Sequence, residues 1–167
     1  MASYKAVAIT LKTQPFAEAD KMVTIFTREF GKVRVIAKGA RRVPSRFGGR
    51  VETFTYADYF IAKGRSLDIV SQCQVLETFQ KLRDGEKVLA GLYVLKLVNS
   101  GTSDGQQNVD LFDLLLSTLY RMKEEKSAKR VVLDFEIAFA KLEGIFEEGI
   151  HPRLSLSEHV GRDLRVW

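Results

Sequence analysis

Residues 22–38 read MVTIFTREFGKVRVIAK, and this stretch decides the fold of the first half of the chain. Apolar and β-branched side chains alternate with their neighbours before Phe30 and again from Val33 to Ala37. A period of two in such residues is typical of β-strands, and Phe30-Gly31-Lys32 supplies a turn between the two runs. The stretch therefore predicts two consecutive strands joined by a short turn.

Three further runs of the same kind flank this pair. One covers residues 6–11, another surrounds Tyr59 and Ile61, and the last extends from Leu67 to Leu76. The connection over residues 39–53 is long. Five short strands with one long connection favour a small barrel over an open sheet. The OB-fold is such a five-stranded barrel, and its second and third strands and its loops commonly bind nucleic acids.

From about residue 84 the hydrophobic period becomes that of an α-helix. Three apolar stripes repeat with this period: Val88, Leu89, Leu92 and Leu95; Leu111, Leu115, Leu119 and Met122; and Val132, Phe135, Phe139, Leu142 and Phe146. Asn108 and Ser127 are suitable N-caps, so we predict a three-helix bundle. The predicted fold class is α+β, with an N-terminal five-stranded OB-fold β-barrel (residues 1–80) followed by an α-helical bundle domain (residues 81–167). For His151–Trp167 the pattern leaves open a tail packed on the bundle or a frayed terminus.

The basic residues are concentrated around the third strand and the long connection. Residues 1–80 contain 13 Lys and Arg against 7 Asp and Glu, whereas residues 81–167 contain 13 against 14. Residues 32–50 include no acidic residue and seven cationic ones: Lys32, Arg34, Lys38, Arg41, Arg42, Arg46 and Arg50. Glycine lets the backbone approach a phosphate, and arginine donates two parallel hydrogen bonds to it. The pattern predicts that these seven residues bind nucleic acid; an ordinary solvated strand and loop are the alternative.

Aromatic residues lie within and after this basic segment. Phe47, inside it, is a candidate for stacking on a base, and burial of the loop is an equal alternative for its ring. We expect the remaining rings to belong to the core: Phe54, Tyr56, Tyr59 and Phe60.

The sequence contains no pattern typical of a catalytic or metal site. Glu18 and Asp20 lie beside Lys21, where a turn cap or a local ion pair explains them better than metal binding does. His151 and His159 have no further ligands at zinc spacing. We therefore expect a protein that is not an enzyme and uses no metal or cofactor.

Cys73 is the only cysteine, so no disulfide can form within the chain, which fits a reducing compartment. Its position in an alternating strand favours a small core residue. The sequence shows no signal peptide and no stretch near the ~20 apolar residues that cross a bilayer. We expect a soluble protein of the cytoplasm with no membrane contact.

Several short motifs follow one another between residues 18 and 49. They are Glu18-x-Asp20-Lys21, Phe26-Thr27-Arg28-Glu29-Phe30-Gly31-Lys32, Ala37-Lys38-Gly39-Ala40-Arg41-Arg42 and Ser45-Arg46-Phe47-Gly48-Gly49. In this order they resemble the bacterial recombination-mediator family RecO. The segment Asp134-Phe135-Glu136 leading to Gly144 is similar to the long helix of that family's C-terminal domain.

The resemblance implies an OB-fold followed by a helical domain that binds single- and double-stranded DNA and anneals complementary strands. It also implies work with RecR and single-strand-binding protein to load RecA at the bacterial nucleoid. Two features depart from the family. Many members carry a four-cysteine zinc element, which Cys73 alone cannot form, and this chain is shorter than we expect for the family.

The helical half is then the expected surface for protein partners. The tail of single-strand-binding protein is acidic and ends in an apolar residue, as the resemblance implies. A basic cluster at the junction of the second and third helices is the candidate receiver: Arg121, Lys123, Lys126, Lys129 and Arg130. Simple solvation of helix ends is the alternative. For the whole chain, a general RNA-binding OB-fold module and a scaffold for an acidic protein also remain open.

Overall fold

The structure of the protein, a computed structural model, describes residues 2–83, 85–161 and 164. Five strands come first: β1 (Ser3–Phe16), β2 (Asp20–Thr27), β3 (Gly31–Ala37), β4 (Tyr56–Ala62) and β5 (Asp68–Glu77). After one 3-10 turn (Gln80–Leu82) come four helices: α1 (Lys87–Gly101), α2 (Val109–Glu124), α3 (Ala128–Leu142) and α4 (Pro152–Val160).

The five strands form a closed barrel in the order β1-β2-β3-β5-β4. The long strand β1 pairs with both β2 and β4, and Ser3 lies opposite Ala62 in the second pairing. β3 and β5 close the barrel as parallel neighbours, with Val35 opposite Asp68. This topology confirms the five-stranded OB-fold predicted from the alternating runs.

The barrel interior holds small and β-branched side chains. On β3, Val35 and Ala37 are buried while Arg34 faces solvent, as the alternation predicts. Ala6 and Ala8 of β1 belong to the same core cluster, and such short side chains leave room for larger ones across the barrel.

Four aromatic residues were expected in the core, and two are there. Phe54 and Tyr59 are buried, and the Tyr59 hydroxyl shares a hydrogen bond of 3.0 Å with Thr10 Oγ1. Tyr56 and Phe60 are only partly buried, so the expectation is wrong for them. They alternate with buried residues along β4, and successive side chains of a strand point to opposite faces.

The three predicted helices are α1, α2 and α3, but the buried faces differ from the prediction in two places. Leu89 and Leu92 of α1 are exposed, because this helix is apolar around most of its circumference and its period does not single out one face. The stripe of α3 was extended too far. The helix ends at Leu142, which is exposed and not part of the buried face. Gly144 follows with a φ of +72°, and Phe146 lies beyond the helix.

The segment after residue 150 forms α4, which packs on α3 and α1. The guanidinium of Arg153 donates from Nε to Oε2 of Glu136 at 2.7 Å, and the Tyr93 hydroxyl donates to the same oxygen at 2.7 Å. Glu136 is buried, as is Leu156 of α4. A packed tail is therefore confirmed for Pro152–Val160, while residues 162, 163 and 165–167 lie outside the described residues.

The chain divides into two compact units. The first comprises Met1–Phe79 and Ser103–Val109, and the second comprises Gln80–Thr102 and Asp110–Trp167. The segment Ser103–Val109 belongs to the barrel unit although it lies between α1 and α2 in sequence. None of the described helices has the length and apolar character that a membrane span requires.

Candidate nucleic-acid interface

The connection between β3 and β4 is anchored in the barrel core. Ala40, Phe47 and Val51 are buried there and belong to the same cluster as the inward side chains of the strands. Phe47 is 2% exposed, so its ring is part of the core and is not available to stack on a base. Burial of these three residues holds the connection against the barrel and leaves its polar side chains outside.

Two polar contacts from β2 and the turn before it hold the same connection. The carboxylate of Asp20 accepts a hydrogen bond from the backbone N–H of Gly39 at 2.8 Å, and Lys21 forms an ion pair with Glu52. The sequence pattern predicted a local contact for Asp20, whereas its carboxylate binds a backbone N–H that lies 19 residues away. The segment between these contacts has both ends tied to β2.

Five of the seven predicted DNA-binding residues are exposed on this connection: Lys38, Arg41, Arg42, Arg46 and Arg50. Within the described part of the chain, none of the five forms an ion pair with a carboxylate. Two of the guanidinium groups donate only to backbone carbonyls, Arg41 to Ala17 at 3.3 Å and Arg50 to Arg46 at 3.2 Å. We call these five residues the basic loop, and its charge is available to an external anion.

The other two predicted residues lie on β3 and share one carboxylate. Arg34 donates to Asp104 at 2.9 Å, and the ammonium of Lys32 lies 3.8 Å from the second oxygen of that residue. The Lys32 side chain is 11% exposed, and burial lowers its pKa, against the opposing effect of Asp104. The structure thus separates the seven cations into five on the connection and a pair on β3 that shares one carboxylate within the barrel unit.

A concave site of about 650 Å³ lies beside this pair, and all of its lining residues belong to the barrel unit. Phe30 and Tyr4 lie at its surface with their rings edge to face, at a centroid distance of 5.1 Å. The ammonium of Lys63 lies 5.8 Å from the Tyr4 ring centroid. We call this site the cleft. Its lining combines these aromatic rings with three cationic side chains and three carboxylates: Lys32, Arg34, Lys63, Glu29, Asp68 and Asp104.

Hydrogen bonds hold the walls of the cleft in place. The Tyr4 hydroxyl donates to Asp68 at 2.6 Å, and the other carboxylate oxygen of Asp68 accepts from the Gly64 N–H at 3.1 Å. Burial and the bond to Asp68 raise the pKa of Tyr4. The hydroxyl therefore stays protonated at neutral pH and joins β1 to the turn between β4 and β5.

Sequence reasoning did not identify the cleft. Phe30 was assigned only to the turn between two strands, and Lys63 was not among the candidate site residues. The sequence around Asp104 gives no indication that this residue pairs with Arg34. The two residues are 70 positions apart, and they meet only because the α1–α2 connection returns to the barrel.

The predicted partner-binding cluster is divided as well. Arg121 donates to Glu125 at 2.8 Å and to Asp134 at 3.0 Å, and these hydrogen bonds raise its pKa. Arg130 lies 3.4 Å from the same Asp134. The ammonium of Lys123 lies 5.8 Å from the ring centroid of Tyr120. Lys126 and Lys129 are exposed and have no ion pair within the described residues.

Polar residues elsewhere are engaged with their neighbours. His159 lies 3.4 Å from Glu143, and His151 Nδ1 accepts from the N–H of Arg153 at 3.2 Å. Among the side chains that the structure describes, no group of three His, Cys, Asp or Glu could hold a metal ion.

Comparison with known proteins identifies the family. The model described as Recombination protein O N terminal matches residues 1–79, and that described as Recombination protein O C terminal matches residues 82–146. The DNA repair protein RecO of Alkaliphilus metalliredigens is 40% identical over 143 residues, which cover 84% of this chain and 58% of that protein.

Two further relatives carry the same name. The DNA repair protein RecO of Nostoc punctiforme is 36% identical over 98% of this chain and 55% of its own length. That of Pelotomaculum thermopropionicum is 39% identical over 86% of this chain and 56% of its own. The chain thus spans little more than half the length of these curated relatives, and two family models match consecutive parts of it. It belongs to the RecO family.

Proposed function

We propose that this chain binds DNA through the basic loop and acts, without covalent chemistry, in bacterial recombinational repair. The observation that carries the proposal is the set of five exposed cations on a connection anchored in the barrel core. Membership of a family whose relatives are named DNA repair proteins supports the same function.

The arrangement favours phosphate as the ligand. Four of the five cations are arginines, whose planar guanidinium groups donate paired hydrogen bonds to phosphate oxygens. Phe47 and Val51 hold the connection in the core, so little of its conformational freedom is left to lose when DNA binds. Contacts to phosphate carry no base sequence, and we expect binding that is largely independent of sequence.

Annealing follows from charge neutralisation. Two complementary strands repel each other through their phosphates, and cations bound to both strands reduce that repulsion. A protein that presents several exposed cations on one connection can hold two strands close enough for their bases to pair. In this scheme the protein supplies charge and proximity, and base pairing supplies the specificity.

The proposal also includes the partners and the cellular location that the family resemblance implies. The protein acts at the bacterial nucleoid with RecR and with the acidic tail of single-strand-binding protein, and it helps RecA to load indirectly. For the tail, Lys126 and Lys129 are the best candidates in the helical unit, because both are exposed and neither is paired with a described carboxylate.

Annealing of two complementary oligonucleotides tests the proposal. The wild type should accelerate annealing, and Arg41→Ala/Arg42→Ala should lose most of the acceleration while its circular dichroism and thermal unfolding stay unchanged. Lys126→Ala/Lys129→Ala removes the same charge from the helical unit and should anneal like the wild type. If Arg41→Ala/Arg42→Ala accelerates annealing as much as the wild type does, or if the wild type does not accelerate it, the proposed function is wrong. Parallel titrations with RNA of the same sequence distinguish an RNA-binding module, which should use the 2′-hydroxyl.

A further inference from the structure

We propose that the cleft binds one unstacked nucleotide of a single DNA strand, whose phosphate takes the place of Asp104 on Arg34. This inference rests on the proposed function and extends it, because it assigns a second contact, selective for single strands, to the barrel unit. The basic loop would then hold the backbone of any DNA, and the cleft would distinguish unpaired from paired strands.

The size and composition of the cleft fit a nucleotide. Its volume of about 650 Å³ lies within the range of ~300–1,000 Å³ typical of small-molecule sites. Polar and apolar groups both line it, and a nucleotide requires both, because its base is flat and largely apolar while its phosphate is anionic. The cleft has Phe30 and Tyr4 for the first, and Arg34 and Lys63 for the second. Besides Asp104, the carboxylates of Asp68 and Glu29 also line it, and both accept hydrogen bonds within the protein, Asp68 from the Tyr4 hydroxyl and Glu29 from the N–H of Val7.

Phe30 is placed to stack on a base. Its side chain is 44% exposed, although large aromatic residues are usually buried. The turn that carries it is held independently of the ring: Thr27 Oγ1 accepts from the N–H of Phe30 at 2.9 Å and donates to the carbonyl of Gly31 at 2.8 Å. Tyr4 meets the ring edge to face, which supports it on one side. The exposed part of the ring remains available to a base.

Only an unpaired base can use this ring. In a duplex each base is already stacked and paired, and taking it out of the helix has a free-energy cost that a single strand does not incur. A base–aromatic stack tolerates any base, because every base has a π-face. The cleft therefore recognises the unpaired state of a strand and not its sequence.

Asp104 occupies the position that a phosphate would take. Its carboxylate accepts a hydrogen bond from Arg34 at 2.9 Å and lies close to Lys32, as a phosphate oxygen would. The backbone around it is fixed separately, since the N–H of Gly105 donates to the carbonyl of Lys32 at 2.8 Å. The Asp104 side chain is 53% exposed and can turn into solvent when a phosphate binds, without moving that backbone. Asp104 thus competes with DNA for Arg34.

Three variants test the proposal, with oligonucleotides that carry 2-aminopurine as a fluorescent base. Phe30→Leu should weaken single-strand binding about tenfold, the range expected for one lost stack, and should abolish the quenching that stacking causes. It should leave duplex binding unchanged. Asp104→Asn should strengthen single-strand binding several-fold, and again leave duplex binding unchanged. Phe60→Leu changes a partly buried ring outside the cleft and should behave as the wild type.

The outcomes separate this inference from the proposed function. If Phe30→Leu binds single strands as the wild type does, or if both DNA forms weaken equally, the cleft is not the site and this inference is wrong. In either case loss of binding in Arg41→Ala/Arg42→Ala would still support the basic loop. If the wild type binds neither form of DNA, both proposals are wrong.

Discussion

Gly31 lies so close to Gln106 that a methyl group on its Cα would come within 2.1 Å of the Gln106 carbonyl oxygen. The φ of Gly31 is +72°, a backbone conformation that side chains with a Cβ rarely adopt. The same contact brings the connection between α1 and α2 back to the barrel unit, where Asp104 meets Arg34. One glycine at the start of β3 thus permits a contact between residues that are 75 positions apart in sequence.

We predict that Gly31→Ala lowers the free energy of unfolding by about 2 kcal/mol or more, because it combines backbone strain with a clash against backbone atoms. Chemical denaturation monitored by circular dichroism measures this. Gly48 also has a positive φ, but no atom lies within 4 Å of a methyl group placed on its Cα. Gly48→Ala therefore tests backbone strain alone and should lower the free energy of unfolding by less. Equal losses in the two variants would show that the contact with Gln106 does not matter.

The salt dependence of single-strand binding should report the cations that contact phosphate. The five basic-loop residues together should contribute about −3.5 to the slope of log affinity against log salt, and Arg41→Ala/Arg42→Ala should make the measured slope less negative by about 1.4. Fluorescence anisotropy at a series of salt concentrations measures both slopes. Lys126→Ala/Lys129→Ala should keep the wild-type slope, and a slope near zero for the wild type contradicts phosphate binding.

The buried carboxylate of Glu136 should be important for the helical unit. Glu136→Gln keeps the size of the side chain but leaves the guanidinium of Arg153 without its counter-charge, which should destabilise the fold by about 3 kcal/mol. Arg130→Ala removes a surface ion pair and should cost under about 1 kcal/mol. Thermal or urea unfolding compares the two, and similar losses would show that burial of Glu136 adds nothing.

The thiol of Cys73 should be unreactive in the folded protein. It is buried, it donates to the carbonyl of Arg50 at 3.5 Å, and burial raises its pKa to about 11. At pH 8 a thiol-specific reagent should react at least about tenfold more slowly than in urea, because the thiolate is the reactive form. Rapid modification without denaturant would contradict the burial.

Because the pKa of Cys73 is raised in the folded protein, the free energy of unfolding should decrease at alkaline pH. The folded state keeps the Cys73 proton up to about pH 11, whereas the unfolded chain loses it near its ordinary pKa of 9.0. The contribution of the Cys73 thiol to the free energy of unfolding is therefore fully present below pH 9, and it is lost as the pH rises from 9 towards 11. Cys73→Ala should remove this part of the decline, and urea unfolding at several pH values measures it.

Charge reversal should separate the two binding activities. Lys126→Glu/Lys129→Glu should weaken binding of an acidic peptide with an apolar C-terminus and spare DNA binding. These two residues are preferred to Arg130, whose reversal would also repel Asp134 within the protein. Loss of both activities, or of neither, counts against a partner surface at this junction.

The barrel could be predicted from sequence because a period of two places Val35 and Ala37 on one face of β3 and Arg34 on the other, although Ile36 is buried as well. The buried face of α1 could not, since Leu89 and Leu92 are as apolar as the residues that the helix buries. For the candidate site, the loop cations followed from one-sign charge over a short stretch. The pairing of Arg34 with Asp104 did not, because it depends on the tertiary path of a distant connection.

The parallel pairing of β3 with β5 also limits how partners can attach. It joins the two ends of the sheet where Val35 and Ile36 of β3 lie opposite Asp68 and Ile69 of β5, so another polypeptide cannot extend the sheet at these positions. A protein that binds at this seam must therefore engage side chains or loops and cannot add a strand there. The same pairing hinders edge-to-edge self-association through these positions of β3 and β5.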